Sequence, residues 1–312
     1  MCHALFDYTF FGFLMKFNFC CISKKAPKQI LFSKEQCDEL FAAVLVHDQL
    51  YPNATLPDSI HLNYSSEQLN ECFQICQQLW QAGPNRVQLK SMIEKIYSQG
   101  ELDAKDQYTY YCMRAKIKHL RFAFVMFDKR HRYPRIFHCM TAVMGHLQDV
   151  LKNSQHSSVK FAALLVKLFL SRPFYSMAAK EIEEFQPSSI ESFRQYVQHE
   201  MHFIRMNLAK GPITSHEFHE MRKVISRQVA MYDNFKTLYP SAYHKSISQC
   251  VSTLNGLMGS LHDELIAKKF DKTQHYYKDK FTMPDEIRVR LEQLISKYPH
   301  SQFNCNEKKS QS

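Results

Sequence analysis

The sequence predicts an all-α fold, and three observations carry that prediction. Only seven glycines occur in 312 residues, too few for the tight turns of a chain built from many short strands. Apolar residues recur mostly at three- and four-residue intervals, the period of one helix face. The third observation is an internal repeat. Met113-Arg114, Met126-Phe127-Asp128, Tyr133-Pro134 and Met144-Gly145-His146-Leu147-Gln148-Asp149 return in the same order as Met221-Arg222, Met231-Tyr232-Asp233, Tyr239-Pro240 and Met258-Gly259-Ser260-Leu261-His262-Asp263. Four marks at similar spacing, about 110 residues apart, are the sign of a duplicated helical unit.

Residues 1–32 form an apolar N-terminal segment. Its stretch Ala4 to Ile22 lacks the positive start of a signal peptide, and Asp7 and Lys16 interrupt it as a membrane span. No firm membrane association is expected from it. Residues 33–100 read as a helical extension. Ser33 with Gln36 is a capping box for a helix running from Cys37 to His47. A Pro- and Asn-bearing connection spans 51–64, helices are predicted over 65–81 and 84–98 with a break at Gly83-Pro84, and Gly100 closes the extension. Residues 101–298 form the duplicated region, in halves 101–186 and 187–298. Helices are predicted at 103–130, 134–152, 156–171, 176–185, 188–209, 215–237, 240–270 and 284–297, with Pro134, Pro240 and Pro284 near helix starts. Residues 299–312 are a polar tail expected to be disordered.

A net charge of +10 points to a polyanionic partner: nucleic acid, polyphosphate or an anionic membrane surface. The ten cysteines fall singly, except for the adjacent Cys20-Cys21 and for Cys72 and Cys76 one helical turn apart. Without a CxxC pair they predict neither a zinc site nor a disulfide scaffold, and a reduced, cytoplasmic protein is expected.

The strongest chemical signal lies between Tyr110 and Arg135, where eight basic residues (Arg114, Lys116, Lys118, Arg121, Lys129, Arg130, Arg132, Arg135) face one acid, Asp128. On a helix Arg114, Lys118 and Arg121 sit at i, i+4 and i+7 and share a face. Like charges at that spacing repel, so the row makes sense when an anion neutralises it. The second half offers a weaker row, His219, Arg222 and Ser226 on one face and Lys223 with Arg227 beside it. The helix before it adds Arg194, His199, His202 and Arg205. Asp149 and Asp263 occupy equivalent places and are read as orienting an arginine of their own half, Arg114 or Arg222. Gly145 and Gly259 are read as letting two helices approach closely.

Arg114-Ala115-Lys116-Ile117-Lys118-His119-Leu120-Arg121 resembles the basic helix motif of the CHAD (conserved histidine α-helical) domain family. His219-x-x-Arg222 and the turns Gly145/Asp149 and Gly259/Asp263 resemble further marks of that family. The resemblance spans 90–298. It implies a pair of four-helix bundles related by a pseudo-twofold axis, with a basic groove that binds inorganic polyphosphate and performs no catalysis. The binding residues it implies are Arg114, Lys118 and Arg121, then His219, Arg222 and Arg227. Arg205 is counted with them, and Lys116, Arg130, Arg132 and Arg135 are assigned to an electrostatic funnel. The chain departs from the family pattern at Tyr111, where His is usual, at Gln148, where Arg often precedes the Asp, and at Ser226 and Val229, which replace bases.

Two other readings compete. His47-Asp48 and His262-Asp263 are the dipeptides of HD-type phosphohydrolases, in which His and Asp hold a water-activating metal. The further His and Asp such a site needs are not evident, so neither metal nor cofactor is expected. Nucleic acid is the other rival, since Tyr108, Tyr110, Tyr111 and Tyr133 flank the basic run as candidate stacking platforms.

Overall fold

Short polar side chains start most of the helices in this protein. In the computed structural model, which describes residues 31–83, 86–152 and 156–299, the capping box at Ser33 forms as expected. Ser33 Oγ accepts from the Gln36 amide at 3.2 Å and Gln36 Oε1 accepts from the Ser33 amide at 3.0 Å. Ser65 with Gln68 and Thr214 with Glu217 repeat the device, and Asp103 and Ser189 cap their helices singly. Glu217 accepts from the Thr214 amide and from Lys210, which hold its carboxyl down at about 2.

Eleven helices result among the described residues: α1 (Lys34–Leu45), α2 (Ser66–Gln81), α3 (Arg86–Gln99), α4 (Ala104–Phe127), α5 (Arg135–Lys152), α6 (His156–Phe169), α7 (Arg172–Glu183), α8 (Ile190–Ala209), α9 (Ser215–Leu238), α10 (Ala242–Phe270) and α11 (Asp285–Lys297). The fold is all-α. Among the described residues the one sheet is a two-residue antiparallel pair, β1 (Ile213–Thr214) with β2 (Lys280–Phe281), which ties the start of α9 to the segment before α11. The apolar stretch Ala4 to Ile22 and most of the polar tail lie outside the described residues.

Helix α7 begins four residues before its predicted start. Pro173 lies in its first turn, where a missing amide costs nothing, so this proline opens the helix instead of breaking it.

Two long helices organise the core. Helix α4 packs on α1, α2, α5, α8 and α9; α9 packs on α1, α2, α8 and α10 as well. Their buried aromatics, among them Phe124, Phe127, Phe218, Tyr232 and Phe235, join Phe73 of α2, Phe137 of α5 and Phe193 of α8. One contiguous apolar core runs from Cys37 and Leu40 of α1 to Leu294 and Tyr298 at α11, so the N-terminal helices share a core with the rest. The consequence for function is positional. Because α4 lies against α9, the basic row of α4 faces Arg222 of α9.

Candidate functional site

A narrow cavity of about 50 Å³ opens where α1, α4 and α9 meet. Tyr111, Arg114 and Lys118 reach it from α4, Ser226 from α9, and His47 from the turn after α1. Helix α10 fixes that turn. Asn255 Nδ2 donates to the His47 carbonyl at 3.1 Å, Ser252 Oγ to the Gln49 carbonyl at 3.0 Å, and the Tyr51 amide donates to Thr253 Oγ1 at 2.9 Å. Gly256 permits the closest approach, since a Cβ there would run into the backbone carbonyl of Asp48. Asn255 also holds Ser226 through its Oδ1, at 2.8 Å. On the floor, Asp233 Oδ1 pairs with Lys236 at 3.2 Å and accepts from Ser248 Oγ at 3.0 Å, while its Oδ2 is buried without a partner.

Around Lys118 of the lining, Arg114, Arg121 and Arg222 form a cationic cluster. Lys118 loses so much hydration, with Arg114, Arg222 and Arg121 all repelling its charge, that its ammonium is pushed down to about 7; the Asp48 carboxylate opposes the shift only in part. Burial lowers Arg121 to about 10, assisted by Arg114 and Arg227. It lowers Arg222 as well, against the pull of Asp263, Asp48 and Asp149. His47 and His138 are driven to about 4, first by burial and then by their cationic neighbours Lys118 and Arg121. The Nε atoms of Arg114, Arg121 and Arg222 are buried and make no hydrogen bond within the protein. A buried donor without an acceptor costs about 1–3 kcal/mol, more when charged. An arrangement with an excess of donors and cations is suited to accept an oxyanion.

Each arginine is nonetheless held in place. Arg114 Nη1 donates to Gln148 Oε1 of α5 at 3.1 Å, and a Cβ built on Gly145 would come within 2.6 Å of its Nη2. Arg222 lies over Gly259 of α10 in the same manner, at 3.3 Å. Each glycine therefore admits a guanidinium between two helices, and not the close backbone approach that the sequence suggested. Arg121 lies over the Tyr133 ring, 5.0 Å from its centroid. Asp149 and Asp263 act on Arg114 and Arg222 through charge. Asp263 of α10 is bonded to Lys152 of α5 at 2.8 Å, and Gln148 supplies the hydrogen bond that orients Arg114.

The remaining predicted residues are distributed elsewhere. Lys116 points away from the row, over the Phe41 ring at 4.3 Å, because two residues on a helix turn the side chain by about 200°. Arg227 is half of a buried ion pair, its Nε 2.6 Å from Glu200 Oε1, and it also donates to Tyr133 Oη at 3.2 Å. Arg130 forks onto Asp128 at 2.7 and 2.8 Å. Arg205 donates to the Ile295 carbonyl at 3.4 Å, beside α11. Arg132 and Arg135 are exposed and flank Tyr133 at the Arg121 end of the row. His219 shares a hydrogen bond with His262, Nδ1 to Nε2 at 2.8 Å. The pair lines a second, wider hollow of about 490 Å³ with Asp149, Lys152 and Asp263. Burial and His262 push His219 down to about 3.

Both His-Asp dipeptides lie within electrostatic reach of Arg222. His47 bonds the Val44 carbonyl at 3.0 Å, and among the described residues no group of three or more His, Cys, Asp or Glu side chains is placed to hold a metal ion. Of the four tyrosines near the basic run, Tyr110 is buried and bonded to the Met144 carbonyl at 3.0 Å, Tyr111 and Tyr133 are half-buried, and Tyr108 is exposed. His47, Asp48, Gln148 and Asn255 are additions that sequence reasoning did not place here.

No protein family, no curated protein and no solved structure matches this chain.

Proposed function

We propose that this protein binds inorganic polyphosphate without turning it over, through the cationic cluster of Arg114, Lys118, Arg121 and Arg222. The observation that carries the proposal is the convergence of four cationic side chains, three of them with orphaned buried Nε donors. Phosphate oxygens supply both the charge and the acceptors that these groups lack, and arginine presents them with a bidentate fork. The resemblance to the CHAD family supports the same reading and brings with it the duplicated pair of four-helix bundles as part of the proposal. On this reading Arg132 and Arg135 draw the polyanion toward the Arg121 end of the row. His219 and the wider hollow form a second contact.

A binding titration with medium-chain polyphosphate at near-physiological salt, competed with single-stranded DNA and with RNA, tests the proposal. Retention of polyphosphate against excess nucleic acid is the expected result. Displacement by DNA or RNA would transfer the site to nucleic acid, and no binding of any of the three would end the proposal. Salt alone does not discriminate, since it weakens every such complex.

Gly145→Ala offers a finer test. The added methyl displaces the Arg114 guanidinium but meets only the end of a flexible side chain. Alanine is also the better helix former by about 1 kcal/mol. Thermal stability should change little while polyphosphate affinity falls several-fold. Gly259→Ala, where the contact is looser, should lose less. Equal losses in the two variants, or none in Gly145→Ala, would detach Arg114 from binding.

A further inference from the structure

Helix α6 is apolar on the side facing water as well as on the side facing the core. Val159, Ala162, Ala163, Val166 and Phe169 are buried, and the helix packs on α3, α5 and α7. On the opposite arc Phe161, Leu164 and Leu168 are 58%, 48% and 46% exposed. With Lys160 they fall in a sector about 100° wide. A second apolar stripe, on a helix whose first stripe already fills the core, contributes nothing to folding and marks contact with another phase or molecule. Arg86 Nε donates to the Leu170 carbonyl at 2.9 Å, which ties the start of α3 to the end of α6.

Charge identifies the occupant. From Lys152 to Lys180 the chain carries Lys152, Lys160, Lys167, Arg172 and Lys180 and no Asp or Glu. Glu94 of α3 is bonded to Lys167 at 2.9 Å. Lys160 and Arg172 are exposed. We propose that this face of α6 docks on an anionic lipid surface, with Phe161, Leu164 and Leu168 entering the headgroup boundary and Lys160 and Arg172 meeting lipid phosphates. Interfacial helices combine these two features, and each basic residue near an anionic leaflet adds to the attraction. A second copy is a poorer occupant. A symmetric pairing through this face brings the two copies' like charges together. Spanning is also unsuited, because no single helix among the described residues is long and apolar enough, and α6 and α7 meet the length only across a 63° bend.

Co-sedimentation of the full chain with phosphatidylcholine vesicles, with and without phosphatidylserine, tests this. The protein should sediment with the anionic vesicles and remain in solution with the neutral ones. Phe161→Ser, Leu164→Ser and Leu168→Ser together should lower partitioning about tenfold or more with helicity unchanged, since all three side chains are exposed. Lys160→Glu with Arg172→Glu should lower it comparably at low salt. Arg114→Ala with Lys118→Ala should leave partitioning intact, which separates this face from the polyphosphate site. Equal partitioning of the serine variant and the parent would overturn the proposal, as would no binding of anionic vesicles by the parent. A concentration-dependent dimer that the serine variant dissociates, without vesicle binding, would give the face to a second copy.

Discussion

Changing Lys118 to methionine should raise the melting temperature and weaken polyphosphate binding at the same time. In the free protein burial and three arginines disfavour the charged form of Lys118. Methionine keeps the length of the side chain and removes the charge. Replacing buried ion pairs by apolar side chains of similar volume is often neutral or stabilising by about 1–4 kcal/mol, a lone unfavourable charge should gain in the same sense, and each kcal/mol moves the midpoint of a chain somewhat smaller than this one by about 2–4 °C. Binding should move the other way, by tenfold or more, because the ligand loses a charge-assisted donor at the centre of the row. Arg114→Ala, Lys118→Ala and Arg121→Ala together should abolish binding with helicity retained. That variant gains less stability, since Arg121 also packs on the rings of Phe122 and Tyr133. Melting curves by circular dichroism and a titration on each variant decide the matter. A Lys118→Met protein that melts lower and binds as before would mean that Lys118 is a structural residue. A triple variant that still binds would remove the row from the site.

The row itself was legible because it is local. Arg114, Lys118 and Arg121 share a face through helical geometry alone, and the Ser33–Gln36 capping box marked the start of α1. Legibility ended wherever a side chain's fate is set by a distant partner. Arg227 reads as one more base beside Arg222, yet Glu200 of the preceding helix claims it. Lys116 stands two residues from Lys118, and only the position of α1 shows that it covers Phe41. His47 and Asp48 suggested a metal dipeptide. They reach the cationic cluster because Ser252, Thr253, Asn255 and Gly256 of α10 seat their turn across some two hundred residues of chain. The β1–β2 pair was invisible for the same reason, since Ile213 finds Phe281 only after the helices have packed. Arg130 was the exception. Its partner Asp128 is two residues away, and an Asp-x-Arg fork just past a helix end is a local signal that the density of surrounding bases obscured.

Binding of polyphosphate should take up close to one proton per site at pH 8, and affinity should fall as pH rises above neutrality. Lys118 stands near 7 in the free protein, well below its ordinary 10.5. At pH 8 it is therefore mostly neutral, and an anion placed against it restores the charged form. The complex holds more protons than its parts, so each pH unit above 7 costs up to about tenfold in affinity until the bound-state value is passed. The free protein responds in the opposite sense. Between 7 and 10.5 the unfolded chain binds more protons at this lysine than the native one does, so the lysine's contribution makes stability rise with pH in that window and level off below it. Titration calorimetry at pH 8 in buffers of different ionisation enthalpy measures the proton count directly. Lys118→Arg supplies the control, because a guanidinium stays charged throughout and should abolish the buffer dependence while preserving a cation in the row. Heats that do not vary with buffer in the parent, or that vary equally in parent and Lys118→Arg, would show that the polyanion does not engage Lys118.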